Sequence, residues 1–134
     1  MTGLLLDTHA LLWTLDDNPK LSATARTEIQ SSHRSGQNLW FSSISLAEVV
    51  YLQEKSRISV ASLSMIYDEV NDPNSAYREV PITAAIVRQM QLIPRDDVPD
   101  LPDRLIAATA LYLGLPLITA DGKIRSLISI RTIW

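Results

Sequence analysis

The chain has no cysteine among its 134 residues. That excludes a disulfide framework, thiolate zinc sites, iron–sulfur clusters and a cysteine nucleophile, and it fits a reducing compartment. Basic charge is also scarce. Twelve Lys and Arg against 15 Asp and Glu leave a net charge of −3, with a pI near 5.2. Domains that hold nucleic acid through bulk charge have a pI above about 9, so such a contact here needs a local basic patch. Long apolar runs are missing too. Leu105 to Ala120 is broken by Gly114 and Pro116 and falls short of the about 20 residues a spanning helix needs. Met1 to Leu15 has no Lys or Arg ahead of its apolar stretch, which Asp7 and His9 interrupt; a secretory leader has the opposite pattern. The expectation is a cytoplasmic protein with no membrane partner. The Gly-x-Gly-x-x-Gly, Walker and Gly-x-Ser-x-Gly patterns do not occur, which makes dinucleotide, nucleoside-triphosphate and serine-elbow enzymes poor fits.

What is present is a globular mixture, 46% hydrophobic and 20% charged. The length suits one domain, residues 1–134, burying roughly two thirds of its unfolded surface. Apolar strand-like runs alternate with helical periodicity. Strands are expected at Gly3–Leu6, Leu39–Phe41, Arg78–Ile82, Leu115–Thr119 and Ile130–Ile133. Helices are expected at Thr8–Leu15, at Ser22–His33 with Ser22 as N-cap, at Ser45–Lys55, and along Val60, Leu63, Ile66, Tyr67 and Val70 up to the stop Asp72-Pro73-Asn74. Two more follow: one capped by Thr83 and running through Ile93, and one at Asp103–Leu113 ended by Gly114. Gly36–Asn38 reads as a turn and Pro94–Pro102 as a loop. Short apolar strands alternating with helices predict an α/β fold with a parallel, doubly wound sheet. Ligands of such sheets bind beyond the carboxyl ends of the strands.

Four acids belong at such places. Asp7 directly follows the first strand, and Asp121 follows Leu115–Thr119. Either alone reads first as a helix N-cap. Glu48 is the one charged residue in Leu46–Leu52; a helix apolar nearly all round is expected to be buried, and a buried carboxylate needs a partner. Its local alternative is a capping box with Ser45. Asp103 opens its helix, where an acid suits the macrodipole. Asp100, three residues earlier, reads as solvated or as support for the others. Brought together, the four acids would raise one another's pKa values unless a cation neutralises them. An oxygen-only cluster suits Mg²⁺ or Mn²⁺ over Zn²⁺, and points to phosphodiester hydrolysis by metal-activated water. Thr8, Ser42, Ser45 and Thr119 flank the acids and can orient a carboxylate or a water. Arg104 and Lys123 adjoin acids and can hold a phosphate. His9 and His33 are a weaker acid–base pair, and Trp13, Trp40 and Trp134 read as core or interface.

Four blocks carry a family resemblance: Leu4-Leu5-Leu6-Asp7-Thr8-His9-Ala10-Leu11-Leu12-Trp13; Ser42-x-x-Ser45-Leu46-Ala47-Glu48-Val49; Asp100-Leu101-Pro102-Asp103-Arg104 running on to Ala110; and Leu115-Pro116-Leu117-Ile118-Thr119-Ala120-Asp121. In this order and spacing, nearly end to end, they resemble the PIN-domain ribonucleases, in particular the VapC-like toxins of bacterial type II toxin–antitoxin pairs. The resemblance implies a PIN-like three-layer sandwich around a five-stranded parallel sheet. It implies a Mg²⁺- or Mn²⁺-dependent endoribonuclease, homodimerisation and a small cognate antitoxin. Asp7, Glu48, Asp103 and Asp121 match the family's acidic metal site, and Thr119 its hydroxyl before the last acid. The chain departs at Val98–Arg104, where relatives often carry a His, and at Ala47, where many carry Trp.

Two other readings fit an acidic α/β domain. A receiver-type signalling domain needs paired acids after strand one and a Lys after the last strand; here there is a single Asp7, and Ile130–Ile133 has no Lys. A non-catalytic PIN-fold module that binds RNA or protein has no use for all four acids.

Overall fold

The computed structural model describes all 134 residues. Five strands, β1 (Gly3–Leu6), β2 (Asn38–Ser42), β3 (Tyr77–Val80), β4 (Leu117–Ile118) and β5 (Thr132–Ile133), form one sheet in the order β3-β2-β1-β4-β5. Every pairing is parallel. Parallel sheets survive only when both faces are covered, and alternate residues of one strand serve the two faces. Leu4 and Leu6 pack into one cluster with Leu11, Ile29, Phe41, Val49 and Ile66. Leu5 enters the other, with Val80, Ile86, Ile106, Leu117 and Ile124. Helices α1 (Thr8–Leu15), α2 (Ala23–Arg34), α3 (Ser43–Glu54) and α4 (Val60–Asn71) contribute to the first cluster. Helices α5 (Ala84–Gln89), α6 (Leu101–Leu113) and α7 (Gly122–Arg125) contribute to the second. The result is the three-layer sandwich that the family resemblance implies.

The strand order also decides between readings. A receiver fold runs 2-1-3-4-5, whereas here β1 lies between β2 and β4. Connections therefore diverge on either side of β1, and the crevice between the carboxyl ends of β1 and β4 is the switch point where such sheets place ligands. Backbone bonds from Leu5 N to Pro116 O (2.9 Å) and Asp7 N to Ile118 O (3.1 Å) hold those two ends in line.

Several expected boundaries move. The helix bearing Glu48 starts at Ser43, because Ser42 is the cap and accepts a bond from Ile44 N at 3.2 Å. It is not buried all round: Ser45 and Val49 are buried, while Ala47 and Tyr51 are exposed. The helix bearing Asp103 starts at Leu101 under an Asp100 cap, with Pro102 in the first turn, where proline costs no hydrogen bond. Asn38 belongs to β2, paired with Gly3. The third strand is Tyr77–Val80, four residues in register with Leu39–Ser42. The last two strands have two residues each. The helix capped by Thr83 ends at Gln89 and tightens into a 3₁₀ turn at Met90–Leu92. Gly122–Arg125, unassigned from sequence, forms α7 under an Asp121 cap. Ser22 and Gly114 terminate their helices as anticipated, Gly114 in the left-handed region at φ 66°.

Candidate active site

Asp7 leaves β1 and caps α1, its Oδ1 accepting from Ala10 N at 2.8 Å. Asp121 leaves the β4 segment and caps α7, its Oδ1 accepting from Lys123 N at 2.9 Å and Ile124 N at 3.0 Å. Capping and facing the crevice are therefore not alternatives, since each cap occupies Oδ1 of the carboxylate. Both residues line a cleft of about 370 Å³ with Thr8, His9, Glu48, Asp100 and Asp103. The remaining lining residues are Trp13 and Ala120, so no Lys or Arg side chain is among them.

Glu48 reaches the cleft through a contact between helices, not through a capping box. Thr8 Oγ1 lies 2.5 Å from Glu48 Oε1 and 2.9 Å from Ser45 Oγ. Thr8 has one hydroxyl hydrogen, and the carboxylate is the stronger acceptor. Ser45 must then donate into Thr8, giving a relay Ser45–Thr8–Glu48. Both hydroxyls are buried. No sequence periodicity joins residues 40 positions apart, and the register of α1 against α3 alone makes this link. Asp100 caps α6 by accepting from Asp103 N at 3.1 Å, which puts both acids at the mouth of the cleft. The spacing of an N-cap and its third helical residue, with Pro102 between, is the signal that pairs them.

The charges in the cleft act on one another. Asp103 is pushed up to about 7, first by burial and then by Asp100, Asp121, Glu48 and Asp7. Asp7 is raised, chiefly by burial, with the Thr119 hydroxyl and the Ala10 amide opposing the shift. Glu48 is raised by burial, opposed by the Thr8 hydroxyl and reinforced by Asp100. As the side chains stand, no three of these acids converge into a ready-made ligand set. Like charges gathered in one cleft favour a cation among them.

Several of the other expected contributors lie elsewhere. Arg104 is spent on backbone: its Nε donates to Ile93 O and its Nη2 to Met90 O, both at 2.9 Å. It fastens the 3₁₀ turn and does not reach toward a phosphate. Lys123 lines a separate cleft with Asp96 and Asp97. His33 sits far around the sheet beside Ile29 and Tyr77, so it cannot pair with His9. Thr119 is buried and accepts from Asp121 N at 3.1 Å, shaping the turn into the last acid. Trp40 donates to Thr2 O at 2.9 Å and is structural. Trp13 lines the acidic cleft.

Comparison with known proteins agrees with the fold. The PIN domain family model matches residues 4–128. Ribonuclease VapC22 of Mycobacterium tuberculosis is 31% identical over 126 residues, covering 94% of this chain and 92% of the relative. Two solved structures share the fold. The crystal structure of DNA-bound VapBC from Salmonella typhimurium superposes with a TM-score of 0.72 at 20% identity, over 98% of this chain and 97% of that one. A toxin–antitoxin complex from Klebsiella pneumoniae gives 0.64 at 19% identity, over 96% and 95%. With the matched segment running from β1 past the last acid, the chain belongs to the PIN-domain family.

Proposed function

We propose that this chain is a divalent-cation-dependent endoribonuclease and the toxin of a toxin–antitoxin pair. The observation that carries the reading is the cleft at the β1/β4 switch point: five carboxylates and no Lys or Arg. Such a site is electrostatically incomplete. Its donors are oxygens only, which suits Mg²⁺ or Mn²⁺. Asp7, Glu48, Asp103 and Asp121 would hold the cation. When bound, it supplies Lewis-acid polarisation of a phosphodiester and activation of a water.

The chain's own residues prepare that chemistry. The caps on α1 and α7 fix Asp7 and Asp121 by Oδ1. The Thr8 hydroxyl fixes Glu48 and favours its ionised form. Asp103, with a pKa of about 7, keeps a proton near neutrality until positive charge arrives. Asp100 stays on its cap and adds negative field at the mouth.

The ribonuclease relative and the toxin–antitoxin neighbour support RNA as substrate and a small antitoxin as partner. The antitoxin inhibits by inserting a basic side chain among the acids, since an Arg guanidinium pairs bidentately with carboxylates. A homodimer in the cytoplasm is part of this reading through the family resemblance. No helix is long and apolar enough to cross a membrane. The test is incubation of purified protein with total RNA in Mg²⁺ or Mn²⁺ against chelator, with mapping of the new ends. Cation-dependent internal cuts are expected, and intact RNA under all conditions would overturn the reading. In cells, expression alone should slow growth, and co-expression of the antitoxin should relieve it.

A further inference from the structure

A second cleft, of about 460 Å³, adjoins the acidic one. The two share His9 and Trp13, so a single groove runs from the carboxylates across the Trp13 indole. Beyond Trp13 the character inverts. The second cleft is lined by Lys20 and Arg57, with Asp16 and Ile58 also on its wall. Neither cation is in an ion pair; the single salt bridge of the molecule joins Arg26 to Asp17. Lys20 Nζ stands 6.0 Å from the Trp13 ring centroid. The indole is half-buried and braced by His9, at 5.3 Å between centroids, and by Trp134, at 5.8 Å.

We propose that this second cleft holds the RNA strand flanking the cut, with a base against Trp13 and the adjoining phosphate on Lys20 and Arg57. The inference rests on the ribonuclease reading above and adds where the substrate lies. A strand whose scissile phosphate sits among the acids must place neighbouring phosphates away from them. The net charge of −3 offers no general attraction, so local cations have to supply it. Among the clefts, this one joins the acids directly and carries two unpaired cations beside an aromatic platform. Its volume lies within the about 300–1,000 Å³ of sites that enclose small ligands. Stacking on an aromatic ring plus phosphate contacts is how single-stranded nucleic acid is held with little sequence preference. It requires unpaired bases, so the substrate class is a single-stranded segment or loop.

The test measures binding, apart from cleavage. The Asp7→Asn protein is titrated against a fluorescently labelled single-stranded RNA in Mg²⁺, following anisotropy. Lys20→Ala with Arg57→Ala should weaken binding about tenfold and reduce the salt slope by about 1.4, from two lost phosphate contacts on a single strand. Trp13→Ala should weaken it about tenfold or more, while Trp13→Phe, which keeps a stacking face, stays within about threefold. If Trp13→Ala loses its far-ultraviolet circular dichroism, the two exposed cations decide the matter. Unchanged RNA affinity and salt slope in the double cation variant overturn the proposal. A variant that weakens a protein partner but not RNA assigns the groove to that partner and also overturns it. If the wild-type chain cuts no RNA and the Asp7→Asn protein binds none, the ribonuclease reading itself has failed. Cleavage that survives while the groove variants bind normally removes the groove proposal alone.

Discussion

The two edges of the sheet are built on opposite terms. At the amino edge, Gly3 adopts φ +118° so that β1 can lie against β2, where an added Cβ would meet Asn38 O at 2.0 Å. Trp40 donates to Thr2 O there, and Gly114 turns the chain from α6 toward β4. These contacts tie the strand starts together. At the carboxyl edge, five acids share one cleft, and burial together with their own charges raises Asp7, Glu48 and Asp103. A fold selected for stability alone has no reason to gather them. The comparison teaches that the amino edge maintains the sheet, whereas the carboxyl edge gathers like charge that protonation or a bound cation would relieve.

The sharpest way to break this contrast is Asp7→Asn. It removes a charge and keeps the shape. Losing a group that merely supports a metal ligand costs roughly 10–100-fold, so loss of a ligand should cost more, and RNA cleavage should fall to background in a gel assay. The melting temperature of the metal-free variant should equal or exceed that of the wild type, since repulsion is relieved. Gly3→Ala is the mirror experiment. The collision with Asn38 O and the strained φ should cost about 2–3 kcal/mol in a urea titration, with cleavage per folded molecule unchanged.

Thr8→Val tests the relay. The substitution keeps volume but leaves Glu48 without its hydroxyl donor and Ser45 without its acceptor. Cation-dependent activity should drop about 10–100-fold, visible as a shift in the Mn²⁺ concentration needed for half-maximal cleavage. The pH dependence of stability is the smallest effect. Asp103 has a folded pKa of about 7 against an ordinary 3.8, so the folded state holds a proton that the unfolded chain has released. Its stabilising contribution is complete below about pH 4 and is lost as pH rises through about 7. Metal-free protein should therefore melt lower at pH 8 than at pH 5, and Asp103→Asn should flatten that trend. A divalent cation at about 100 times its Kd should restore about 2.7 kcal/mol at pH 8.

Much of this was legible in the sequence, for reasons that also explain what was not. Asp7 and Asp121 are visible because each follows a short apolar run, and a parallel strand buried on both faces leaves few other readings for such a run. Gly114 is visible because a glycine after a helical stretch has one common use. Glu48 stands out as the lone charge in an apolar helix, yet its neighbours Ala47 and Tyr51 are exposed. Composition does not reveal which helix face the chain leaves uncovered. The Thr8–Glu48 bond and the ties of Arg104 to Met90 and Ile93 are tertiary, so the sequence leaves Ser45 open between a capping box and an orienting hydroxyl and offers Arg104 only as a group able to hold a phosphate. The cap at Asp100 is hidden because Pro102 reads as the end of a loop, when it belongs inside the first turn of the helix.

The central claim is that the carboxyl edge is incomplete without a divalent cation, and Mn²⁺ titration followed by electron paramagnetic resonance tests it most directly. At neutral pH the wild-type protein should deplete the free Mn²⁺ signal saturably, and Asp7→Asn and Asp103→Asn should each weaken that binding by more than about tenfold. A wild-type protein that leaves the signal untouched, or variants that bind Mn²⁺ as well as the wild type, would contradict the account.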